Sequence, residues 1–212
     1  MQLKPLAKRG AVACLGVLLS AAPALPTLQG DGIAPFPAPL VPLTEAAAVN
    51  EPAPMAGQII GRDGTSSVLE ELPENIRPAV SADTTRFDEE TGRYILSGNV
   101  RIIWDNRVLT TDEAQLSART GEIWTQGRTV MQDGEPVFRG DALYASLTEH
   151  QAWFFGQRCG MSRPGLSVHS DTMFYNWEKK LAVFDGHVLL IQKDKQRAGD
   201  HLVYDIARNQ VR

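Results

Sequence analysis

The sequence predicts an all-β fold, a stack of bent antiparallel hairpins that form two facing sheets. Three patterns lead to this prediction: a recurring Asp, a Gly at a fixed distance after it, and apolar residues that alternate with polar ones. The Asp is found at Asp83, Asp112, Asp141, Asp171 and Asp200, at intervals of 29, 29, 30 and 29 residues. Self-similarity at a fixed period indicates one supersecondary unit of about 29 residues that is repeated and stacked. The function is therefore expected on a repeated surface and not in one local catalytic cluster.

The Gly keeps step with the Asp. Gly98, Gly127, Gly156 and Gly186 each follow an Asp by fifteen residues, even where the Asp interval lengthens to 30. A Gly that recurs inside a strand pattern usually marks a bulge or a sharp bend. Each long strand is therefore expected to bend at this Gly and to pass from one sheet to the facing one.

Between Asp and Gly, apolar residues alternate as they do in half-buried strands. Two and four positions after the Asp stand pairs such as Ala114 with Leu116 and Met173 with Tyr175. A period of two marks a strand with one buried face. A turn follows about nine positions after the Asp, as at Gly92, because Gly tolerates the positive φ of a tight hairpin. The second strand of each unit then continues to the recurring Gly.

Residues of the same parity in every unit are expected to line one apolar trough between the two sheets; the alternative is that a bulge at the recurring Gly turns one half of the strand over. The predicted trough residues are Phe87, Tyr94, Leu96, Val100, Ile102, Leu116, Ile123, Leu143, Phe154, Met173, Tyr175, Phe184, Val188, Leu190, Leu202 and Tyr204. An apolar trough favours acyl chains, whereas exposed aromatic residues beside paired acids favour a saccharide. The four tryptophans are expected to pack in the core, and lining of the trough is the second interpretation. They are Trp104, Trp124, Trp153 and Trp177.

The first 24 residues have the layout of a secretory signal peptide. Basic residues precede an apolar run at residues 11–22, and the Ala-Pro-Ala at residues 22–24 is typical of a cleavage site. The run is shorter than the roughly 20 residues that span a membrane, so an uncleaved inner-membrane anchor is the less favoured alternative. Beyond this segment Cys159 is the single cysteine, which excludes an internal disulfide and suits a periplasmic protein.

Residues 25–78 are expected to form a Pro/Ala-rich flexible tether. Nine prolines interrupt any helix or central strand, and such a composition buries too little apolar surface to offset the entropy of ordering. Val68, Leu69 and Leu72 are its candidates for one short helical turn or a docked contact. Residues 79–212 are expected to form a single domain that is long enough for a real core.

Charge and titratable residues give no support to nucleic-acid binding or catalysis. Residues 79–212 carry 16 Lys and Arg against 18 Asp and Glu, a net charge of 16 − 18 = −2 without a basic stripe. The four histidines, at positions 150, 169, 187 and 201, fall at different phases of the repeat and make a poor metal site. The recurring Asp lacks the nine-residue Gly-rich context of calcium-binding β-rolls, so it is expected to bond nearby backbone N–H groups. No metal, cofactor or enzymatic activity is expected.

The repeated phrase resembles that of the OstA-like family of lipopolysaccharide-transport proteins. It consists of Ala-Asp, a short alternating strand, a Thr-Gly turn and Gly-Asn-Val, found here as Ala82-Asp83, Thr91-Gly92 and Gly98-Asn99-Val100 and echoed by Gly186-His187-Val188. The resemblance covers residues 79–212. It implies a twisted, open β-jellyroll in the periplasm whose apolar groove shields the lipid A acyl chains of lipopolysaccharide or a related glycolipid. A secreted β-solenoid that binds or cleaves polysaccharide is the alternative.

The last repeat predicts assembly through an edge strand. Residues 200–206 alternate, contain Val203 and Tyr204, and have no proline to block pairing. An unpaired edge strand of this kind invites strand addition from another chain. The expected partners are a second copy of the chain or other jellyroll domains, LptC-like or LptD-like, joined end to end between the inner and outer membranes.

Overall fold

The computed structural model describes residues 54–193 and 195–212. The predicted signal peptide and the first part of the predicted tether, up to residue 53, lie outside the described residues. In the described residues, the secondary structure consists of 15 strands and one three-residue 3-10 turn, Glu74–Ile76. The predicted all-β fold is therefore confirmed. No helix in this part of the chain is long and apolar enough to cross a membrane.

The strands follow one another with short turns. They are β1 (Gln58–Gly61), β2 (Ser66–Val68), β3 (Ala79–Ala82), β4 (Thr84–Asp88), β5 (Arg93–Trp104), β6 (Arg107–Ser117), β7 (Glu122–Asp133), β8 (Val137–Ser146), β9 (Gln151–Phe155), β10 (Gly160–Arg163), β11 (Leu166–His169), β12 (Thr172–Asn176), β13 (Leu181–Gln192), β14 (Lys195–Asp205) and β15 (Gln210–Val211).

Three of the long strands bend at the recurring Gly. The pairing of β5 with β6 shifts register between Ser97 and Val100, on either side of Gly98. The pairing of β7 with β8 shifts around Gly127, and that of β13 with β14 shifts around Gly186. All three Gly residues have a positive φ, 73° at Gly98. The predicted bend is therefore present, and it divides the sheet into two halves.

The first half-sheet has the strand order β4-β5-β6-β7-β8-β9-β12-β13-β14-β15, and the second has the order β2-β1-β3-β5-β6-β7-β8-β10-β11-β13-β14. Tyr175 of the first half stacks on Phe138 of the second with ring centroids 4.2 Å apart, so the inner faces are in contact. We call the line of bends that joins the halves the spine. We call the opposite side, where hairpin turns of the two halves meet, the seam.

At the spine the first four of the recurring Asp residues each lie against the Gly of their own unit. Asp112 accepts a hydrogen bond from the backbone N–H of Arg128 (2.9 Å), and Asp141 accepts one from that of Arg158 (3.3 Å). A Cβ atom on Gly127 would lie 3.1 Å from the Cβ of Asp112. The predicted role of the Asp as an acceptor for nearby backbone N–H groups is confirmed at these two positions.

The described part of the predicted tether, residues 54–78, differs from the expectation. β1 pairs in parallel with β3, and β2 pairs with β1, which adds two strands to the second half-sheet. Leu69 and Leu72 are each 1% exposed and belong to the core of the repeats, so the docked contact is confirmed for these two, whereas Val68 is 55% exposed. Arg77 donates hydrogen bonds to the backbone oxygens of Leu72 (2.5 Å) and Glu70 (2.8 Å). The prolines of this segment flank β1 and β2, so proline content alone misjudged it.

Candidate functional site

The inner face of each half-sheet carries a row of apolar side chains that continues from strand to strand. In the first half-sheet, directly opposite residues form the row Leu96, Ala114, Thr125, Leu143, Phe154, Met173, Phe184 and Leu202. In the second, they form the row Ile59, Val80, Ile102, Leu109, Met131, Phe138, Met161, Val168 and Leu190. The repeat therefore has a continuous apolar interior with Thr125 as its one polar member in these rows.

The structure places most of the predicted trough residues in this interior. Tyr94 and Leu202 are partly buried against the same core, and Phe87 is 46% exposed. The thirteen that are at most 3% exposed are Leu96, Val100, Ile102, Leu116, Ile123, Leu143, Phe154, Met173, Tyr175, Phe184, Val188, Leu190 and Tyr204. Contact of these side chains with a lipid stays a prediction.

Phe87 is the one predicted trough residue that is exposed, because it lies on an edge strand. It lies on β4, which has a neighbour on one side only, and its ring packs against Tyr94 with centroids 4.8 Å apart. Parity is kept through the bend of β5, because Leu96 and Val100 on either side of Gly98 are both buried. β13 keeps its parity in the same way, at Phe184 and Val188, whereas in β6 the inner residues Leu109 and Ala114 have opposite parity.

Some interior residues of the second half-sheet were missed by sequence reasoning. Met131, Phe138 and Met161 are fully buried there. The repeat itself indicates Met131 as an interior residue, because it follows Asp112 by 19 residues and the predicted trough residue Ile102 follows Asp83 by the same distance. Extending the fixed offsets beyond the recurring Gly would have found it.

One buried carboxylate, Asp133, links the two half-sheets at the seam. Its side chain, at the end of β7 in the second half, is 1% exposed. From the same half it accepts hydrogen bonds from Nε of Arg107 (3.1 Å) and Nδ2 of Asn106 (3.3 Å). From the first half, the hydroxyl of Tyr175 donates at 2.6 Å and Nζ of Lys180 at 2.7 Å. We call these five residues the seam cluster.

The seam cluster holds Asp133 in its ionised form. Burial alone would raise the pKa of Asp133, but hydrogen bonds from Lys180 and Tyr175 and the charge of Arg107 outweigh burial and lower it. Burial and the bond to Asp133 raise the pKa of Tyr175, so its phenol stays protonated and keeps donating. Arg107 also contacts Asp105 at 2.8 Å. The two positive charges of Arg107 and Lys180 are thus balanced by the two carboxylates of Asp105 and Asp133.

Aromatic and backbone contacts close the seam on either side of this cluster. The rings of Trp104 and Trp177 lie 5.9 Å apart, and the guanidinium of Arg107 lies 5.4 Å from the centre of the Trp177 ring. Further along the stack, Arg163 donates to the backbone oxygen of Ile206 at 3.2 Å. Trp104 and Trp177 are 5% and 3% exposed, so their predicted core packing is confirmed.

Trp124 and Trp153 depart from the predicted core packing, because their parity places them on the outer face of the first half-sheet. They belong to a row of partly exposed rings in which Tyr144 lies 5.7 Å from Trp124 and 5.4 Å from Trp153, with Phe174 5.0 Å further on. The guanidinium of Arg93 covers Trp124 at 4.0 Å. A shallow concavity of about 400 Å³ adjoins Trp124 and Tyr144.

The histidine and cysteine side chains that the structure describes do not converge on one site. His187 bonds to Asp171 at 2.7 Å, which raises the pKa of His187, and His201 lies 2.6 Å from Asp185. Burial raises the pKa of the Cys159 thiol to about 12, which makes it unreactive. Across residues 54–193 and 195–212, no group of three or more His, Cys, Asp or Glu side chains is placed to hold a metal ion.

Comparison with known proteins gives a family for the chain. The family model described as LptA/(LptD N-terminal domain) LPS transport protein matches residues 79–210, more than half of the 212 residues. Among solved structures, the chain is similar to LptH, the LptA homologous periplasmic component of the lipopolysaccharide transport device from Pseudomonas aeruginosa. The identity is 20%, the match covers 64% of this chain and 80% of LptH, and the TM-score is 0.28. No curated protein matches the chain. The chain belongs to the LptA/LptD N-terminal domain family of lipopolysaccharide-transport proteins.

Proposed function

We propose that this chain binds lipopolysaccharide in the periplasm and shields the lipid A acyl chains between its two half-sheets. The observation that supports the proposal is the pair of inner rows, whose apolar side chains continue through the stack. Burial of acyl chains contributes about 0.8 kcal/mol per CH₂, so about twelve methylenes offer near 10 kcal/mol before ordering costs. No catalytic step is assigned to the chain.

Acyl chains reach the interior through the seam. The inner faces touch each other, as at Phe138 and Tyr175, so the two halves must separate before a lipid can lie between them. Acyl chains then take the place of the apolar packing between the facing sheets, whereas the polar bonds of the seam cluster have to break. The spine joins the halves covalently and acts as the hinge, and saccharide groups stay in solvent outside the seam.

A pair of neighbouring residues in β13 tests the binding site. Leu190 faces the interior and is 3% exposed, whereas Leu189 next to it has the opposite parity and is only partly buried. A photo-crosslinking amino acid at position 190 is expected to capture lipopolysaccharide, and the same group at position 189 is expected to capture far less. Equal capture at both positions, or none at position 190, contradicts the proposed groove.

The second part of the proposal is end-to-end assembly through the sheet edges. β13 pairs with one edge of β14, and on the other edge β15 pairs only with Tyr204 and Asp205, so in the described residues no strand covers that second edge from Lys195 to His201. At the other end, β4 is the edge of the first half-sheet and β2 is the edge of the second. In the second half-sheet β1 and β2 cover β3 at this end. A partner strand therefore meets β4 or β2.

Concentration dependence tests the assembly. A contact that joins opposite ends of the stack does not close, so it gives rods that grow with concentration. Light scattering over a hundredfold dilution is expected to show this growth, and an Arg86→Cys, His201→Cys double variant is expected to form disulfides between copies across β4 and β14. Gln115→Cys, exposed in mid-sheet, is the control. Monomers at every concentration and no binding to another jellyroll domain contradict edge pairing.

The row of partly exposed aromatic rings on the outer face of the first half-sheet favours the alternative function, binding of a polysaccharide. Partly exposed Trp and Tyr rings there stand beside a carboxylate, since the Tyr144 hydroxyl donates to Glu122 at 2.7 Å. Titration with lipid-free oligosaccharide, followed by tryptophan fluorescence in the protein and in a Trp153→Ala variant, separates the two functions. Binding that disappears in Trp153→Ala supports the alternative, and a flat titration excludes it.

A further inference from the structure

Trp104 carries a buried hydrogen-bond donor without an acceptor. Its indole Nε1 is inaccessible to solvent and makes no hydrogen bond with any residue that the structure describes. The side chain as a whole is 5% exposed. Buried polar groups in native proteins are nearly always satisfied, and an unsatisfied one requires an explanation. No other side-chain nitrogen or oxygen of the described residues is buried in this unpartnered way.

The position of Trp104 indicates what the acceptor is. Trp104 is the last residue of β5 and lies at the seam, with Trp177 opposite it at 5.9 Å. On its inner side is the apolar row that contains Ile102 and Leu109. On its outer side is the seam cluster, where Arg107 extends over Trp177. Tryptophan favours such positions, with an apolar body on one side and a polar tip at the boundary.

We infer that Nε1 of Trp104 donates a hydrogen bond to an ester carbonyl oxygen of the bound glycolipid, at the junction of acyl chains and head group. The inference rests on the proposed function. An ester carbonyl is the first hydrogen-bond acceptor above an acyl chain, and it enters the seam as an acceptor that has given up its water. A buried donor and a buried acceptor then satisfy each other.

The neighbouring groups favour a neutral acceptor over a phosphate. Arg107 is the seam-cluster cation in the same half-sheet as Trp104, and it bonds to Asp133 of that half, so this pair stays intact when the two halves separate. Arg107 is further neutralised by Asp105. A phosphate at Trp104 would find no unpaired cation among the seam-cluster residues of this half-sheet, whereas an ester oxygen needs only the single N–H.

An isosteric replacement tests the role of this N–H. Benzothienylalanine at position 104 keeps the shape of the indole and removes only the N–H. For the lipid-free protein, the urea midpoint is expected to stay unchanged or to rise, because no bond within the protein is removed. The dissociation constant for lipopolysaccharide is expected to rise about tenfold, the equivalent of about 1.4 kcal/mol. The same replacement at Trp177 is the control and is expected to change binding less than twofold.

Two model ligands identify the acceptor. A short-chain diacyl phosphatidylglycerol carries ester carbonyls, and its dialkyl ether analogue lacks them. The wild-type protein is expected to prefer the ester by about tenfold, and the benzothienyl variant is expected to lose this preference. The indole N–H resonance of Trp104 is expected to move downfield with the ester ligand only.

The outcomes separate this inference from the proposed function. If position 190 captures lipopolysaccharide but ester and ether ligands bind equally, the groove stands and the inference is overturned. A lower urea midpoint of the variant at position 104 also overturns it, because Nε1 then has a partner within the protein. If position 190 captures no lipopolysaccharide, the proposed function fails and the inference fails with it.

Discussion

The spine and the seam join the same two half-sheets by different means. At the spine the chain itself makes the connection, and one Asp–Gly pair is repeated in each of the first four units. At the seam the connection is non-covalent and irregular, with four donors around the single carboxylate of Asp133. The repeat thus specifies the stacking and the bend, whereas closure depends on a few residues that the repeat does not share.

The difference also separates two mechanical roles. Breaking the seam leaves every hairpin and the spine intact, so the halves can move apart without unfolding of the units. A substitution that strains the backbone at the spine instead disturbs the bend of the repeat unit in which it lies. Substitutions at the two regions are therefore expected to differ in size and in what they disturb.

Asp133→Ala at the seam is expected to have the largest effect. It leaves Arg107 and Lys180 without their shared carboxylate, and removal of one partner of a buried ion pair costs about 3–5 kcal/mol of unfolding free energy. Urea unfolding measures the loss. Asp105→Asn is the control, since Asp105 pairs with Arg107 from a position that is 60% exposed, and a change below about 1 kcal/mol is expected. Equal losses for the two variants would contradict a special role of Asp133.

Tyr175→Phe measures how much the first half-sheet contributes to the stability of the seam. It removes one hydroxyl that donates to the buried carboxylate at 2.6 Å, and hydrogen bonds to charged groups contribute about 1.5–3 kcal/mol. Thermal or urea unfolding is expected to show a loss in this range. Tyr144→Phe on the outer face, where the hydroxyl bonds to the partly exposed Glu122, is expected to cost about 1 kcal/mol or less. An unchanged unfolding free energy of the Tyr175→Phe variant would show that the hydrogen bond from Tyr175 to Asp133 contributes nothing to stability.

Gly156→Ala tests the spine. Gly156 has a φ of 103°, and a Cβ there would lie 2.6 Å from the Cβ of Asp141. Such backbone strain costs about 1–3 kcal/mol, and the effect is expected in the unfolding free energy without loss of lipid capture at position 190. Gly199→Ala is the matched control: its φ is not positive, no atom lies within 4 Å, and no destabilisation is expected. Similar losses at both glycines would rule out strain at the bend.

The pH dependence of the two regions is expected to have opposite signs. The pKa of Asp133 is lowered, so its stabilisation is complete above the ordinary carboxyl value of about 3.9 and is lost as pH falls through the folded value. The pKa of His187 is raised, so its stabilisation is complete below about 6.5 and is lost as pH rises through the folded value. Urea midpoints are expected to drop in acid for the wild-type protein and less for Asp133→Asn.

The exposed His187–Asp171 pair gives the smallest expected effect. Its side chains are 90% and 58% exposed, so solvent screens their interaction. A histidine ring titration by NMR is expected to give a pKa for His187 above that of a free imidazole, and Asp171→Asn is expected to lower it. An unchanged titration in Asp171→Asn would show that the pair does not form in solution.

Much of the fold could be predicted because its signals are local. The recurring Gly needs a positive φ at the bend, and the alternation of apolar residues needs only a strand with one buried face. The interior position of Leu96 or Phe184 followed from that parity. Parity also places Trp124 and Trp153 outside, and their aromatic character alone gave the wrong expectation.

The segment that contains β1 and β2 shows where composition fails. A proline count describes the segment as a whole, but pairing depends on which positions are free of proline. Ile59, Leu69 and Leu72 become buried because β3 and the hairpin turns of the repeats provide the opposite surface. That surface exists only after the stack has formed, and no local pattern encodes it.

The sequence by itself determined the repeat, the bends and the parity of the interior residues between each recurring Asp and its Gly. Tertiary structure alone decided which turn residues close the seam. Asp105 and Asp133 both stand at hairpin turns of the second half-sheet, yet the first side chain is 60% exposed and the second 1%. Asp133 is buried because Tyr175 and Lys180, 42 and 47 residues further on, meet it across the seam. The physical reason is that periodicity fixes neighbours along and between strands, whereas contacts between facing sheets depend on their twist and spacing.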